Sequence, residues 1–388
     1  MSSDIAERMS GIRSFYVMDL LARARELERQ GRSIIHMEVG EPDFVTPEPI
    51  TQAGIDALKA GKTHYTPAVG LPELRTRLSE FYRDRLGVEV SAQRIIITPG
   101  ASGALQLALG VTVNPGDGVM MADPGYPCNR HFVRMFGGEA HCVPVDSASA
   151  YQLTAEMIRD HWSPTTKAMM LASPSNPTGT TVDPAEIAQI NAFVQQQNGV
   201  LMIDEIYAML TYEQQAHSLL ADAPDAFIIN SFSKYVGMTG WRLGWLIAPE
   251  QYVDAIDRLA QNIFLAAPTM AQHAALAAFE PETMQILESR REEFKARRDY
   301  LLPALQQLGF EIATKPQGAF YLYADCSCFT GDSHAFVLDV LEKAGVAITP
   351  GCDFGDHRAG QHVRFAYTTS IKNLREGVAR LEGYLSQT

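Results

Sequence analysis

The feature that most constrains the fold is an alternation of short apolar runs with helical stretches between residues 94 and 248. The runs are RIIIT, GVMMAD, AHCVPV, KAMMLAS, VLMID, FIINSF and RLGWLIA. Runs rich in Val, Ile and Met, with little polar alternation, are typical of parallel strands covered by helices on both faces. The pattern therefore predicts an α/β fold in which a mostly parallel central sheet is sandwiched by helices. Ligands of such sheets bind at the carboxyl ends of the strands.

The C-terminal part of the chain has a different pattern. Strands are expected at AFYLYAD, VAIT and HVRFAYT, with helices at Ser333–Ala344 and Ile371–Leu385, which indicates a smaller α+β unit. A helix near Val17–Gln30 is expected to pack with this unit. Pro281 marks a break between an Ala-rich helical stretch and a charged one.

A chain of 388 residues is longer than a single hydrophobic core usually supports, so two packed units are expected. We predict a large domain over residues 46–281. We predict a small domain built from residues 1–45 and 282–388.

Composition and charge argue against nucleic acid and membranes as partners. The formal net charge of −13 would repel a phosphate backbone, so no nucleic-acid partner is expected. The first residues mix Glu7 and Arg8 into apolar positions and do not form a basic start followed by an apolar stretch. No run of about eighteen apolar residues occurs, so no membrane association is expected. We therefore predict a cytoplasmic protein.

The five cysteines are scattered and lack the paired spacing of a disulfide framework or a zinc site. Cys326 and Cys328 alternate along a run that we interpret as a strand, which would place both on one face. A metal pair there stays open, but packing explains the two residues more simply, and no metal is expected.

Lys234 stands in SFSKYVGMTGWRLGW, just after an apolar run that ends at Ser231. Arg242 follows two glycines, and its planar fork of donors could bind a phosphate together with the hydroxyls of Ser231 and Ser233. A lysine amine beside a fixed phosphate can form a Schiff base with an aldehyde cofactor such as pyridoxal phosphate. Taken alone, the segment is better explained by a solvated Lys and Arg on a loop.

Asp204 ends the apolar run VLMI, and Tyr207 follows in IDEIY. A carboxylate at the end of a buried strand needs a partner. The pyridine nitrogen of pyridoxal phosphate would be such a partner, since its protonation makes the ring an electron sink. A helix-capping Asp beside a core Tyr is the alternative for this segment.

Two turns offer further polar groups. SPSNPTGTTV fixes the Asn176 amide, which could bond a phenolic oxygen of the cofactor, although turn chemistry alone explains the prolines and glycine. In ITPGASGALQLAL a glycine-bearing turn precedes a helix, so the backbone N–H groups of Ala101 and Ser102 would face an anion. Such junctions are common in α/β folds.

Eight motifs occur together over nearly the whole chain: GEPDF, HYTPAVGLPELR, TPGASGAL, DPGYP, SNPTG, DEIY, SFSKYVGMTGWRLG and VRFAY. With these motifs in this order, the sequence resembles the class I/II aminotransferases of pyridoxal-phosphate fold type I, which include aspartate aminotransferase. The resemblance implies pyridoxal 5′-phosphate as cofactor. It also implies transfer of an amino group from an L-amino acid to a 2-oxo acid.

The resemblance assigns the residues around the cofactor ring. Lys234 would hold the cofactor as a Schiff base and move a proton between the substrate Cα and the cofactor C4′. Asp204 would pair with the pyridine nitrogen, and Tyr207 and Asn176 would hold the phenolic oxygen. Tyr126 of DPGYP would lie flat on the ring, where well-known members often have Trp.

The resemblance also assigns the groups that bind phosphate and substrate. The phosphate would be held by Ala101, Ser102, Ser231, Ser233 and Arg242. Tyr65 of HYTP would reach the phosphate from a second subunit, so an obligate homodimer with the active site at the subunit interface is expected. Arg364 would bind the substrate α-carboxylate, and the backbone of Gly40 would touch the same group. Strand alternation alone, with Arg364 between Val363 and Phe365, would instead favour an Arg364 that faces solvent.

Other functions stay open at this point. A C–S β-lyase could use the same cofactor residues, since one fold hosts several chemistries. A pyridoxal-phosphate-binding transcriptional regulator is less compatible, because enzyme-like segments begin close to the N-terminus and leave no DNA-binding module.

The substrate side chain is weakly defined by the sequence. Some relatives that act on dicarboxylates carry a Lys where this chain has Ser102. Arg130, or a basic residue of the second subunit, is a candidate replacement. Phe15 and Tyr16 are candidates for lining the entrance, which favours a neutral or broad set of amino donors.

Overall fold

The protein folds into alternating helices and strands, which a computed structural model describes for residues 5–387. The first part contains α1 (Tyr16–Arg29), β1 (Ile35–His36), α2 (Glu48–Lys59), α3 (Pro72–Leu86), β2 (Ile95–Thr98), α4 (Gly100–Thr112), β3 (Gly118–Asp123), α5 (Cys128–Met135) and β4 (Glu139–Pro144). The middle part contains α6 (Ala155–His161), β5 (Thr166–Ala172), α7 (Pro184–Gln196), β6 (Val200–Asp204), β7 (Phe227–Ser231), β8 (Gly244–Ile247), α8 (Val253–Ile263) and α9 (Thr269–Ala275). The last part contains α10 (Pro281–Gln307), β9 (Tyr321–Asp325), α11 (Ser333–Ala344), β10 (Val346–Ala347), β11 (Thr349–Pro350), β12 (His362–Ala366) and α12 (Ile371–Leu385).

The central sheet has seven strands in the order β2-β8-β7-β6-β5-β3-β4. Strands β7, β6, β5, β3 and β4 run parallel to one another. Only β8 runs against the others, because it pairs antiparallel with both β2 and β7. The predicted α/β fold with a mostly parallel sheet is therefore confirmed.

Both faces of this sheet are buried. Along β2, the side chains of Ile95 and Ile97 belong to one apolar cluster, and Ile96 between them belongs to a second cluster. Since successive side chains of a strand point to opposite faces, the two clusters fill the two layers between sheet and helices. This packing explains why the strands are continuous apolar runs and do not alternate with polar residues.

The C-terminal part forms smaller sheets. Strands β11, β12 and β9 make an antiparallel three-stranded sheet, and β1 pairs parallel with β10. The expected helices over Ser333–Ala344 and Ile371–Leu385 are confirmed as α11 and α12. Pro281 is the first residue of α10, where its missing N–H costs nothing, so the predicted break is also confirmed.

The division into a large domain over residues 46–281 and a small domain over 1–45 and 282–388 stays a prediction. Residues 1–4 and 388 of the small domain lie outside the described residues.

The interpretation of Cys326 and Cys328 as strand residues is wrong. Strand β9 ends at Asp325, and the chain then turns, since the N–H groups of Phe329 and Thr330 donate to the carbonyl of Cys326. Within residues 5–387, no group of three or more His, Cys, Asp or Glu side chains is arranged to hold a metal ion. In the same range, no helix is long and apolar enough to cross a membrane.

Candidate active site

The candidate residues meet at one edge of the central sheet. Tyr126, Asn176, Tyr207 and Lys234 each follow the carboxyl end of a strand, namely β3, β5, β6 and β7. Because these strands are parallel, their carboxyl ends lie at the same edge. A cavity of about 190 Å³, called here the Lys234 cavity, opens there. Its wall includes Gly40, Tyr126, Asn176, Asp204, Tyr207, Lys234 and Arg364.

Lys234 is held by the segment that follows β1. Its Nζ donates a hydrogen bond of 2.7 Å to the carbonyl oxygen of Gly40. The rings of Phe320 and Tyr207 lie 5.8 and 5.9 Å from Nζ. Burial lowers the pKa of Lys234 to about 8, although the charge of Glu41 acts in the opposite direction. The amine therefore titrates close to neutral pH, as a group that exchanges protons needs to do.

Asp204 is the buried acid of the cavity, with 7% of its surface exposed. Its Oδ1 accepts a hydrogen bond of 3.0 Å from the backbone N–H of Ile206. Burial raises the pKa of Asp204 to about 6, and the nearby charge of Lys234 offsets part of this effect. No hydrogen bond from residues 5–387 reaches Oδ2, so this oxygen is free to accept one from a ligand.

Arg364 forms no ion pair with an acidic side chain among residues 5–387. Only 4% of its surface is exposed, so β12 turns this side chain inward and not to solvent. The guanidinium donates to Asn176 Oδ1 at 2.8 Å, to the carbonyl of Glu38 and to Thr349 Oγ1, and its Nε has no partner among the described residues. A buried, unpaired guanidinium is a site for an anion.

Tyr321 is a wall residue that the sequence analysis missed. Its hydroxyl lies 2.8 Å from the hydroxyl of Tyr207, and its ring lies 4.3 Å from the Arg364 guanidinium carbon. A Cβ on Gly40 would lie 1.8 Å from the Tyr321 hydroxyl, so only glycine fits at position 40. The alternation in AFYLYAD predicts which face of the strand Tyr321 lies on. It does not predict that this face lines the Lys234 cavity.

A second group of predicted residues surrounds the start of α4. Ser231 Oγ donates to Ser233 Oγ at 2.9 Å, and Arg242 donates to the carbonyl of Thr239 at 2.9 Å. A Cβ on Gly100 would lie 2.5 Å from Arg242 Nη2, which shows that the guanidinium lies against the first residue of the helix.

Ala101 and Ser102 belong to the first turn of α4, so their N–H groups are at the positive end of the helix. A Cβ on Gly244 would lie 2.8 Å from the Ala101 nitrogen, so this approach also requires glycine. Arg242 has no acidic partner in residues 5–387. Together with the two serine hydroxyls and the start of α4, it provides hydrogen-bond donors for a phosphate. These residues lie next to the Lys234 cavity, not on its wall.

Three further predicted residues have distinct positions. Tyr65 is 82% exposed and does not line the Lys234 cavity. Arg130 donates to the carbonyl of Phe354 at 2.8 Å and does not line the Lys234 cavity. Phe15 lines the cavity, with its ring 6.3 Å from that of Tyr126, whereas Tyr16 does not line it.

This donor set fits pyridoxal 5′-phosphate. A buried carboxylate with a free oxygen suits a protonated ring nitrogen, the α4 cradle suits the phosphate, and Lys234 supplies the amine. Arg364 remains for the carboxylate of a substrate.

Comparisons with known proteins agree with this fit. The family model "Aminotransferase class I and II" matches residues 32–381. The chain is 38% identical to a (5-formylfuran-3-yl)methyl phosphate transaminase of Methanocaldococcus jannaschii, over 99% of this chain and 100% of that protein. It is 36% identical to a valine–pyruvate aminotransferase of Mycobacterium tuberculosis, over 97% of both chains. A crystal structure of an aminotransferase from Mycobacterium tuberculosis superposes with a TM-score of 0.96 at 36% identity, over 100% of both chains.

The family match covers nearly the whole chain, and the fold and the donor set agree with it. The protein therefore belongs to the class I and II aminotransferases, the pyridoxal-phosphate enzymes that move amino groups between amino acids and 2-oxo acids.

Proposed function

We propose that this aminotransferase takes neutral or aromatic L-amino acids as amino donors and that Lys234, Asp204 and Arg364 carry the reaction. One observation supports the proposal most strongly. The Lys234 cavity has these three charged side chains at its inner end, whereas Phe15, Val17 and Met18 give it an apolar wall. A zwitterionic amino acid with an apolar side chain matches both ends.

Arg364 is proposed to fix the substrate. Its guanidinium has the planar fork that binds a carboxylate through two parallel hydrogen bonds. Asn176 and the carbonyl of Glu38 already hold the guanidinium in place, so little side-chain freedom is lost on binding. The backbone of Gly40 is proposed to contact the same carboxylate.

Several residues are proposed to hold the cofactor. Asp204 would bind the ring nitrogen, Tyr207 and Asn176 the phenolic oxygen, and Tyr126 the ring face. The phosphate would be bound by Ala101, Ser102, Ser231, Ser233 and Arg242. When bound, pyridoxal phosphate supplies the aldehyde carbon that receives the amino group and a ring that withdraws electrons from the substrate Cα.

Lys234 is proposed to move the proton of the substrate Cα. Because its pKa is lowered to about 8, a useful fraction of the amine is neutral at physiological pH and can accept this proton and return it. The carbonyl of Gly40 accepts a hydrogen bond from Nζ and so keeps the amine at the inner end of the cavity. Asp204 stays buried beside it, where a positive partner stabilises its charge.

The names of two relatives support the proposal that members of the family accept different substrates. The relative from Mycobacterium tuberculosis is named for valine and pyruvate, which have small neutral side chains. The relative from Methanocaldococcus jannaschii is named for an aldehyde that carries a phosphate. We infer that the family tolerates different groups at the outer end of the cavity, and that the apolar wall of this chain favours neutral donors.

We also propose that the enzyme is a homodimer in which Tyr65 reaches the phosphate of the partner's site. Large apolar side chains are exposed on two adjoining segments, at Ile55, Leu58 and Tyr65 and at Ile263, Leu265 and Met270. The segments touch, because Thr269 Oγ1 donates to the carbonyl of His64 at 2.8 Å. An apolar surface of this kind is typical of a subunit interface. The cytoplasmic location stays a prediction.

The central test is Lys234→Ala. The variant is expected to keep the surfaces that bind pyridoxal phosphate but to lose the visible absorbance of lysine-bound cofactor and at least about 10⁴-fold of the turnover. Turnover is measured as new amino acid formed from a panel of L-amino acids and 2-oxo acids. Retention of both the absorbance and the turnover would exclude Lys234 from the role.

The same panel distinguishes the lyase alternative. A C–S β-lyase would convert cysteine to pyruvate, ammonia and sulfide, and would form no amino acid from the added 2-oxo acid. Preference for valine, leucine or phenylalanine over aspartate as donor is the expected result, and a preference for aspartate would contradict the neutral-donor proposal.

A further inference from the structure

Tyr321 contacts both the tyrosine assigned to the cofactor and the arginine assigned to the substrate. It is the first residue of β9, and only 1% of its surface is exposed. In the antiparallel register Tyr321 pairs with Ala366, so its side chain shares a face with that of Arg364, two residues earlier in β12. The strand pairing therefore brings a buried phenol beside the guanidinium of the Lys234 cavity.

The ring of Tyr321 supports the Arg364 guanidinium. The guanidinium carbon lies over this ring, 4.3 Å from its centroid, and 4.7 Å from the centroid of the Phe354 ring. No carboxylate among residues 5–387 pairs with Arg364. Aromatic faces attract cations, and more strongly where water is excluded, so the two rings stabilise and orient this charge.

The hydroxyl of Tyr321 has one hydrogen-bond partner among residues 5–387, the hydroxyl of Tyr207 at 2.8 Å, and the same holds for Tyr207. A phenol has a single proton to donate. The bond therefore uses the proton of one tyrosine and leaves the proton of the other free. If Tyr207 donated to Tyr321, it would have no proton left for a ligand.

The surroundings favour Tyr321 as the donor of this bond. Burial raises the pKa of Tyr207 well above the usual value of a tyrosine. Burial also raises the pKa of Tyr321, but the charge of Arg364 is the largest opposing influence there. The phenol beside the guanidinium is thus the more acidic of the two, and the more acidic phenol is the stronger hydrogen-bond donor.

Gly40 confines the Tyr321 hydroxyl. A Cβ on Gly40 would lie 1.8 Å from the hydroxyl oxygen, so the oxygen lies against the backbone of this glycine. The carbonyl of the same glycine accepts the hydrogen bond from Lys234 Nζ. The hydroxyl is therefore held between Gly40 and Tyr207, close to the segment that holds the amine.

We propose that Tyr321 is a positioning residue for both cofactor and substrate: its hydroxyl donates to Tyr207, which leaves the Tyr207 proton for the phenolic oxygen of the cofactor, and its ring holds Arg364 for the substrate carboxylate. The inference rests on the proposed function, which assigns the phenolic oxygen to Tyr207 and the carboxylate to Arg364. Each hydrogen bond in a chain polarises the next, so a donating Tyr321 strengthens the bond that Tyr207 makes.

The hydroxyl is tested by a spectrophotometric pH titration of the lysine-bound cofactor in the holoenzyme. Tyr321→Phe should raise the midpoint of the visible absorbance change by about 0.3 pH unit or more, because the phenolic oxygen, which keeps its negative charge when the proton leaves, is stabilised less. Tyr207→Phe should raise the midpoint further. Tyr323→Phe is the matched control and should keep the wild-type midpoint, since Tyr323 lies on the same face of β9 and is 5% exposed but does not line the Lys234 cavity.

The ring is tested by calorimetry with pentanoate, a carboxylic acid that cannot react. The holoenzymes of wild type and Tyr321→Phe should bind pentanoate with the same dissociation constant, because the ring is retained. Tyr321→Leu removes the ring and should weaken binding about tenfold, since Arg364 loses one of the two faces that hold it. A tyrosine that only filled the core would change stability without moving either the titration midpoint or the dissociation constant.

The outcomes separate this inference from the proposed function. A wild-type midpoint in Tyr321→Phe, or wild-type pentanoate binding in Tyr321→Leu, overturns the inference while the assignments of Tyr207 and Arg364 stand. A wild-type midpoint in Tyr207→Phe, or no binding of pentanoate by the wild-type holoenzyme, overturns those assignments themselves.

Discussion

Asp204 is a residue of the site whose buried charge lowers the free energy of unfolding of the cofactor-free protein. Burial raises its pKa from 3.8 to about 6, so the empty cavity disfavours its charge by roughly 3 kcal/mol at neutral pH. A bound cation, such as a protonated ring nitrogen, removes this penalty. The charge of Asp204 therefore suits the cofactor-bound enzyme and destabilises the cofactor-free enzyme.

Asp204→Asn is predicted to stabilise the apoenzyme in a pH-dependent way. The folded state binds the Asp204 proton more tightly than the unfolded state, so the penalty is absent below pH 3.8, grows as the pH rises towards 6 and is complete above pH 6. Asn keeps the oxygen that Ile206 bonds. Denaturant unfolding of cofactor-free protein should show a stability gain for the variant that is larger at pH 8 than at pH 5 by about 1–1.5 kcal/mol, because roughly half of the penalty is already present at pH 5.

The same variant should lose activity as a holoenzyme, because Asn cannot keep a ring nitrogen protonated. A fall in kcat of about 10²-fold or more is expected. Near-normal turnover would refute the proposed role of Asp204, and an equal stability gain at both pH values would refute the account of its pKa.

The sequence predicts some site residues better than others, for a physical reason. Lys234 and Asp204 stand directly after apolar runs, so their place at a strand end follows from local pattern. Tyr321 lies within a strand, and alternation gives its face without telling what that face meets. Arg364 has the same ambiguity, and only the packing of β12 shows that its side chain is buried.

At the scale of elements, the start of α1 depends on a distant residue. Phe15 at the N-cap position has no side-chain oxygen, and the first N–H groups of α1 are bonded by the Asp353 carboxylate, more than 300 residues further along the chain. This contact places Phe15, Val17 and Met18 against the Lys234 cavity. The sequence predicts the helix from its periodicity but cannot predict a cap supplied by tertiary contact.

Asp353→Ala is predicted to fray the first turn of α1. Loss of a capping carboxylate lowers the free energy of unfolding by about 0.5–2 kcal/mol. Since the apolar wall of the cavity shifts with the turn, KM for a neutral donor should rise by a larger factor than kcat falls. Denaturant unfolding and steady-state kinetics measure the two effects. Asp19→Ala, an exposed acid of the same turn, is the control and should change neither quantity by as much.

If Asp353→Ala loses stability while KM for the neutral donor stays at the wild-type value, the cap does not position the cavity wall. The proposed link between this contact and substrate binding would then be wrong.

At the scale of the whole molecule, the site is expected to be completed by a second copy of the chain. Tyr65 is 82% exposed and belongs to the exposed apolar surface around α2 and residues 263–270. Tyr65 does not line the Lys234 cavity of its own chain, which fits a role in the partner's site.

Mixing Lys234→Ala with Tyr65→Ala tests this arrangement, since each variant alone is expected to lose most of its activity. In a hybrid dimer of Lys234→Ala and Tyr65→Ala chains, one site would combine the intact Lys234 of one chain with the intact Tyr65 of the other. Unfolding and refolding the two variants together should restore up to about a quarter of wild-type activity, because half of the dimers are hybrids with one good site. Each variant refolded alone is the control. No recovery, with dimers present by sedimentation, would place Tyr65 outside the partner's site.

The sequence by itself determines the class of fold and the residues that could serve a pyridoxal-phosphate enzyme. It does so because apolar runs, strand ends and glycine-bearing turns are local features whose chemistry can be read from neighbouring residues. The tertiary structure alone shows the buried Arg364 whose Nε has no partner among the described residues, the Tyr207–Tyr321 contact and the Asp353 cap. Each of these joins segments far apart in the chain, and no local pattern specifies which distant side chains will meet.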